Sequence, residues 1–253
     1  MITLYLNCTA NLGDFVQVLP VISGFVKKYD KVNFVVRHDM KKFKGLIEFL
    51  KYQDLFETVC FDDEATEYGS KLLPVYIVSS WTREDKGDLN RPIETCRYEN
   101  WLKDQYQFEF DVDDDFVIKF PKCNVSVDMD AIYVGDRWNH QGIDDRRETG
   151  VLSHLNNCKF LDYNNDLLTN CYIISTSPKP FITNFTGIGM IADLLNKECL
   201  VVWKAEDWKP EYRIGDNISW DNGKDINKIF EKHFYLNRKA KLVHASELDL
   251  SKL

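Results

Sequence analysis

Apolar residues recur along this chain with two different periods. Residues 2–6 make a short apolar run, and the stretch 7–13 after it is polar and contains Gly13. Phe15, Val18, Leu19, Ile22, Phe25, Val26 and Tyr29 then repeat at the three- and four-residue spacing of one helix face. Pro20 falls inside that stripe and either kinks the helix or marks the first position of its main part. Residues 32–36 read as a strand, and Phe43, Leu46, Ile47 and Leu50 as the buried stripe of a second helix. Residues 58–61 and 74–79 are further short apolar runs. This β-α-β-α-β order predicts a parallel sheet covered by helices.

The middle of the chain changes character. Residues 109–115 are dense in acid, and 116–121 lead to a second start. Residues 131–135 read as a strand ending on Gly135, and 159–163, 171–175 and 181–184 as short strands. Residues 188–195 read as a helix, and 199–203 as a strand. Ile226, Ile229, Phe230 and His233 mark a late helix. The pattern predicts two α/β halves, with domains 1–125 and 126–253.

Composition narrows the class. The chain has 253 residues, 44% of them apolar and 28% charged, which suits a folded globular protein. A chain of this size buries roughly three quarters of its unfolded surface, enough for one large core or two small ones. No apolar stretch approaches a membrane span, and residues 1–6 read as a strand, not a signal peptide. The seven cysteines are widely spaced, without a C-x-x-C, which suits a reducing cytoplasm and neither a disulfide framework nor a zinc cluster. The net charge is −8 and both halves are acidic, so no nucleic-acid footprint is evident.

Four places carry candidate chemistry. The first is Asn11-Leu12-Gly13-Asp14, between the first strand and the first helix. Ligands of open parallel sheets bind beyond the carboxyl ends of strands, where Asp14 stands. Gly13 allows a tight turn and close approach. Helix capping is the structural alternative for Asp14. The second is Asn184-Phe185-Thr186-Gly187-Ile188-Gly189, where a strand ends and a helix begins. Free N–H groups at a helix start favour a phosphate, and Gly187 and Gly189 leave its path open. Residues 187–192 also match G-x-G-x-x-A, with Asp207 twenty residues after Gly187. That spacing keeps a nicotinamide or flavin oxidoreductase as an alternative. The third is the acidic run of residues 111–115. It begins like a calcium loop, but Phe116 and Lys122 occupy the positions that need Gly and Glu. A solvated loop is the expectation there. Beyond Gly135, Arg137 is placed to meet a phosphate bidentately and Trp138 to stack on a base or sugar; a plain surface role stays open for both.

The stretch from Leu12-Gly13-Asp14-Phe15 to Leu19-Pro20 resembles the L-G-D-x-x-x-x-L-P opening of the ADP-heptose:lipopolysaccharide heptosyltransferases. Residues 184–203, NFTGIGMIADLLNKECLVVW, are similar to that family's N-D-S-G-P-M-H-L-A-A-A-L-G-x-P-V-V. Asn184, Gly187, Ala192 and Leu195 coincide, and Thr186 stands for the serine. Phe185 occupies the family's aspartate position and Met190 its histidine, and the family's lysine has no matching motif here. The chain resembles a shortened, divergent member.

The resemblance implies a GT-B fold, two Rossmann-like α/β/α domains facing across a cleft. The amino-terminal domain would be the acceptor side, with Asn11 and Gly13 in its loop and Asp14 as general base. The carboxyl-terminal domain would hold a nucleotide-diphosphate sugar through Asn184, Thr186, Gly187, Ile188 and Gly189, with Arg137 and Trp138. Transfer would be inverting, with no metal and no cofactor besides the donor. The acceptor would be a hydroxyl-bearing glycan or glycolipid. A protein that binds a nucleotide sugar without catalysis, and transfer to modified DNA bases, are the remaining alternatives.

Overall fold

Parallel strands bound both ends of the chain. The computed structural model describes residues 2–7, 12–64, 75–78, 102–103, 106–135, 155, 158–184, 186–203, 227, 230, 234, 236 and 238–253. The chain divides into two compact units, Met1–Cys123 with Asn164–Thr169, and Asn124–Tyr163 with Asn170–Leu253.

The first unit holds strands β1 (Thr3–Asn7), β2 (Val32–Val36), β3 (Phe56–Phe61) and β4 (Val75–Val78), in the order β3-β2-β1-β4 and all parallel. Helix α1 (Leu12–Tyr29) crosses from β1 to β2. Its face Phe15, Val18, Leu19, Ile22 and Phe25 is fully buried, and Phe15 meets Phe34 of β2 edge to face. The helix starts at Leu12, so the polar turn is shorter than the 7–13 stretch of the sequence. Pro20 lies in its interior. Lys27 and Lys28 occupy the last turn, where cations complement the helix dipole. Helix α2 (Leu46–Tyr52) buries Leu46, Phe49 and Leu50, while Ile47 is half-buried.

The acidic run is a loop whose Asp111, Asp114 and Asp115 are exposed as expected, but Asp113 fastens it to α1 as a strap. The Asp113 amide donates to the Pro20 carbonyl at 3.1 Å, and its carboxylate takes Ser23 Oγ at 2.6 Å and Lys27 Nζ at 2.7 Å. Gly24 makes this approach possible, because a Cβ there would lie 1.9 Å from the Asp111 carbonyl oxygen. Tyr29 exchanges hydrogen bonds with the Glu109 backbone, and Phe25 packs against Tyr29, Phe108 and Phe110. The fully buried Gln53 side chain binds both the amide and the carbonyl of Lys119. Runs of like charge normally stay in water. Here a lysine, a hydroxyl and backbone groups compensate the one carboxylate that enters.

The second unit holds β5 (Tyr133–Gly135), β6 (Lys159–Phe160), β7 (Phe181–Thr183), β8 (Cys199–Trp203) and β9 (Ala240–His244), in the order β6-β5-β7-β8-β9 and again all parallel. Val134, Leu155, Ile182 and Val202 form a buried cluster. Residues 171–175, read from sequence as a strand, lie inside helix α3 (Leu167–Thr176). Asp166 starts that helix, its carboxylate accepting from the Thr169 amide at 2.7 Å. Lys197 Nζ donates to the Ser177 carbonyl just past its end. Helix α4 (Gly187–Leu194) follows β7. Of the expected late helix, Ile226, Ile229 and His233 lie outside the described residues. Phe234 donates to the Phe230 carbonyl at 2.8 Å and stacks on its ring, as one helical turn would have it.

Candidate functional site

In open α/β sheets a ligand crevice forms at the carboxyl ends of the strands where the strand order reverses. In the second unit the reversal falls between β5 and β7, which end at Gly135 and Thr183. Both ends are tightly built. Thr183 Oγ1, fully buried, donates to the Gly135 carbonyl at 2.8 Å and lies 3.3 Å from Thr186 Oγ1. A Cβ on Gly135 would stand 2.4 Å from the Phe181 ring and 2.8 Å from the Ile188 side chain. One on Gly189 would stand 2.8 Å from Thr183 Cγ2 and 3.1 Å from the Asn184 carbonyl oxygen. Gly189 therefore brings α4 against the end of β7. Ile188 is fully buried and Met190 nearly so, so what these positions present to a ligand is backbone.

The start of α4 is rich in unsatisfied polarity. Thr186 precedes the helix in an extended conformation and its side chain makes no capping bond. Its carbonyl accepts from the Gly189 amide at 3.0 Å and the Met190 amide at 3.2 Å, and the amides of Gly187 and Ile188 come before that first helical bond. Asn184 Oδ1 is buried and has no hydrogen-bond partner among the described residues. Two amide donors, an acceptor and the positive end of a helix thus meet at one strand end, the arrangement that receives an anionic group with a hydrogen-bonding neighbour. Thr183, which braces the turn, was missed from sequence; its signal was a hydroxyl at the last position of a strand beside a glycine-ended one.

In the first unit the order reverses between β1 and β4, and the chain leaves β1 to begin α1. Gly13 and Asp14 are the second and third residues of α1, so Asp14 is in the first turn and is not the cap. Asn11, Arg137, Trp138, Phe185 and Asp207 lie outside the described residues.

Other chemistry is muted. The described cysteines are all free, and burial pushes the thiols of Cys60, Cys158 and Cys199 up. Among the described residues no group of three or more His, Cys, Asp or Glu is arranged for a metal, and no helix is long and apolar enough to cross a membrane. A recess of about 890 Å³ between the carboxyl-terminal half of α1 and the strap is lined by Lys27, Lys28 and Lys103 together with acids of residues 109–115.

Two parallel sheets with helices, with reversal points at β1/β4 and β5/β7, make an α/β fold of the kind seen in solved glycosyltransferase structures. Among solved structures the chain is similar to a glycosyl transferase family 9 protein from Veillonella parvula, with a TM-score of 0.56 at 9% identity over 99% of this chain and 88% of that one. It is similar also to E. coli heptosyltransferase WaaC with ADP, at 0.51 and 11% over 100% and 97%, and to E. coli ADP-heptose lps heptosyltransferase II, at 0.51 and 11% over 99% and 95%. No family model matches the sequence, and no curated protein matches it by sequence.

Proposed function

We propose that this chain is a cytoplasmic glycosyltransferase that moves a sugar from a nucleotide-diphosphate donor to an acceptor hydroxyl, with inversion and without a metal. The observation that carries this reading is the turn from β7 into α4, with two leading amide donors and an Asn184 oxygen that has no partner among the described residues, at a strand-order reversal. The donor diphosphate would sit on the amides of residues 186–189, and Asn184 Oδ1 would take a donor hydroxyl. Arg137 would add positive charge and Trp138 a stacking face. The shared fold supports this assignment, since one neighbour was solved with ADP and another is named for ADP-heptose.

In the transfer step Asp14 takes the proton of the acceptor hydroxyl as its oxygen bonds to the anomeric carbon. The bond from that carbon to the diphosphate oxygen breaks, and its electron pair leaves with the nucleoside diphosphate. Positive charge builds on the sugar ring, as in glycoside hydrolysis. Negative charge builds on the leaving oxygen, where amide donors preorganised at a helix start are most effective. The acceptor is assigned as a glycan or glycolipid. Asp14→Asn is expected to abolish transfer, a loss of about two to four orders of magnitude, while leaving donor affinity within twofold. Turnover by that variant at the wild-type rate would reject the base assignment.

A further inference from the structure

A second constellation gathers at the carboxyl edge of the first sheet, from residues with no role assigned above. Tyr5 of β1, Val35 of β2 and Cys60 of β3 are register partners, so their side chains share a face, and Asp62, two residues beyond Cys60, follows on the same side. Tyr5 reaches along this face, and its hydroxyl donates to Asp62 Oδ2 at 2.9 Å. His38, in the turn after β2, donates its backbone amide to Asp62 Oδ1 at 2.8 Å and sets Nδ1 against the same oxygen at 2.9 Å. Three consecutive strands of the sheet thus converge on one carboxylate.

Burial raises the pKa of Asp62, but the hydrogen bonds from His38 and Tyr5 outweigh it and hold the group below the usual carboxylate range. An ionised Asp62 only accepts, so Nδ1 carries the hydrogen between them; in that tautomer the outward Nε2 is a lone-pair acceptor. Nε2 has no partner among the described residues, and the His38 side chain is 62% exposed. Tethering the turn does not need the ring. Lys41, three residues on, already ties this turn to Asp63 and Glu64, each at 2.9 Å, and the His38 amide already binds Asp62. The imidazole–carboxylate bond adds one thing, a fixed tautomer aimed outward. β2, which runs into this turn, pairs with β1 up to Leu6↔Val36, and β1 is the strand that precedes α1 and Asp14 in the chain.

We propose that His38, held by Asp62 and Tyr5, is an acceptor-side binding residue whose Nε2 takes a hydrogen bond from a hydroxyl of the incoming nucleophile. This rests on the transferase reading above. With a polyol acceptor, Asp14 takes the proton of the attacking hydroxyl and His38 holds a neighbouring hydroxyl. With water in the acceptor's place, one O–H gives its proton to Asp14 and the other donates to His38. The water oxygen bonds to the anomeric carbon, the bond to the diphosphate breaks, and free sugar, nucleoside diphosphate and a proton result. Slow donor hydrolysis therefore reports on His38 without the natural acceptor being known.

The experiment measures nucleoside diphosphate release from ADP-, UDP-, GDP- and TDP-linked hexoses and from ADP-heptose by the full chain, and by its His38→Ala, His38→Gln and Asp62→Asn variants. Wild type turning over a donor, with His38→Ala losing roughly tenfold in kcat at unchanged donor KM, is the expected result; that is the worth of one hydrogen bond to the nucleophile. His38→Gln should recover part of the rate, since its amide oxygen is again an acceptor, and Asp62→Asn should fall between. His38 is exposed enough that its variants should melt with wild type, which separates this loss from unfolding. Equal kcat in wild type and His38→Ala, or a raised donor KM at unchanged kcat, overturns the assignment and leaves the transferase reading standing. A wild-type chain that binds and hydrolyses none of these donors overturns both.

Discussion

Two carboxylates with little contact to water, Asp113 and Asp193, respond to pH in opposite directions. Burial raises Asp113, but Lys27 and Ser23 outweigh it, so its pKa in the folded chain lies below the ordinary value. Its stabilisation is present above about pH 4 and is lost as pH falls through the folded pKa. Asp193, in α4, has burial as its dominant influence, which outweighs the Arg238 amide at 3.3 Å, the Arg238 charge and the Lys239 amide, so its pKa is raised. Its favourable contribution is complete below about pH 4 and declines as pH rises through the folded pKa. Asp113→Asn should therefore cost about 1 kcal/mol at pH 7, and the deficit should shrink on acidification. Asp193→Asn keeps the shape and the acceptor oxygen without the charge and should raise stability at pH 7 by a similar amount. Urea midpoints for both variants at pH 7 and pH 4 check the signs. Neither carboxylate stood out from its neighbours in the sequence. Asp113 is one of four aspartates within five positions, and only the partners it meets across ninety residues set it apart.

At the scale of elements, helix α4 depends on a missing methyl group. Alanine normally stabilises a helix by about 1 kcal/mol relative to glycine. At Gly189 the added Cβ would press on Thr183 and on the Asn184 carbonyl, so Gly189→Ala should instead destabilise by about 1–3 kcal/mol. Chemical unfolding reads the sign directly. The sequence had offered Gly189 as room for a diphosphate. A glycine that admits a ligand and one that admits a neighbouring strand look alike until the neighbour is placed. Elements with strong periodicity, such as the α1 stripe, were legible. Residues 171–175 were not, because Cys171, Ile173 and Ile174 fit a buried strand as well as a buried helix, and the distinguishing signal, Asp166 as a cap, stands five residues earlier. Strand β9 was hidden by Lys241 within it and Lys239 before it. The strap left no periodic trace, since its order comes from hydrogen bonds to distant side chains.

Across the whole molecule the chain carries a net charge of −8 yet is proposed to bind a dianionic donor. Backbone amides reconcile the two, since they attract an anion without appearing in any charge count. A nucleotide sugar present at a hundred times its Kd should stabilise the chain by about 2.7 kcal/mol, a thermal shift of a few degrees at this size. NAD and NADP in the same screen, giving no shift, would set the dinucleotide alternative aside. The α/β class and the strand-to-helix turn at residues 184–187 were readable from sequence because two short motifs and the strand–helix alternation agreed. The strand orders were not, because pairing partners of parallel strands lie a crossover apart.

The division of the chain bears on how it is made. The first unit includes Asn164–Thr169, which follow a long stretch of the second. Within the first unit Lys44 binds the Asn164 carbonyl, the Leu167 amide binds the Lys44 carbonyl, and Gly45 at φ 74° leaves space that the Asp166 side chain fills. A nascent chain that has emerged only to Cys123 holds four strands but not these last contacts. At bacterial or eukaryotic translation speeds it waits on the order of two to ten seconds for them. The amino-terminal unit thus finishes folding only after the first third of its successor has been made, which leaves the surface around Lys44 and Gly45 uncovered during that part of synthesis.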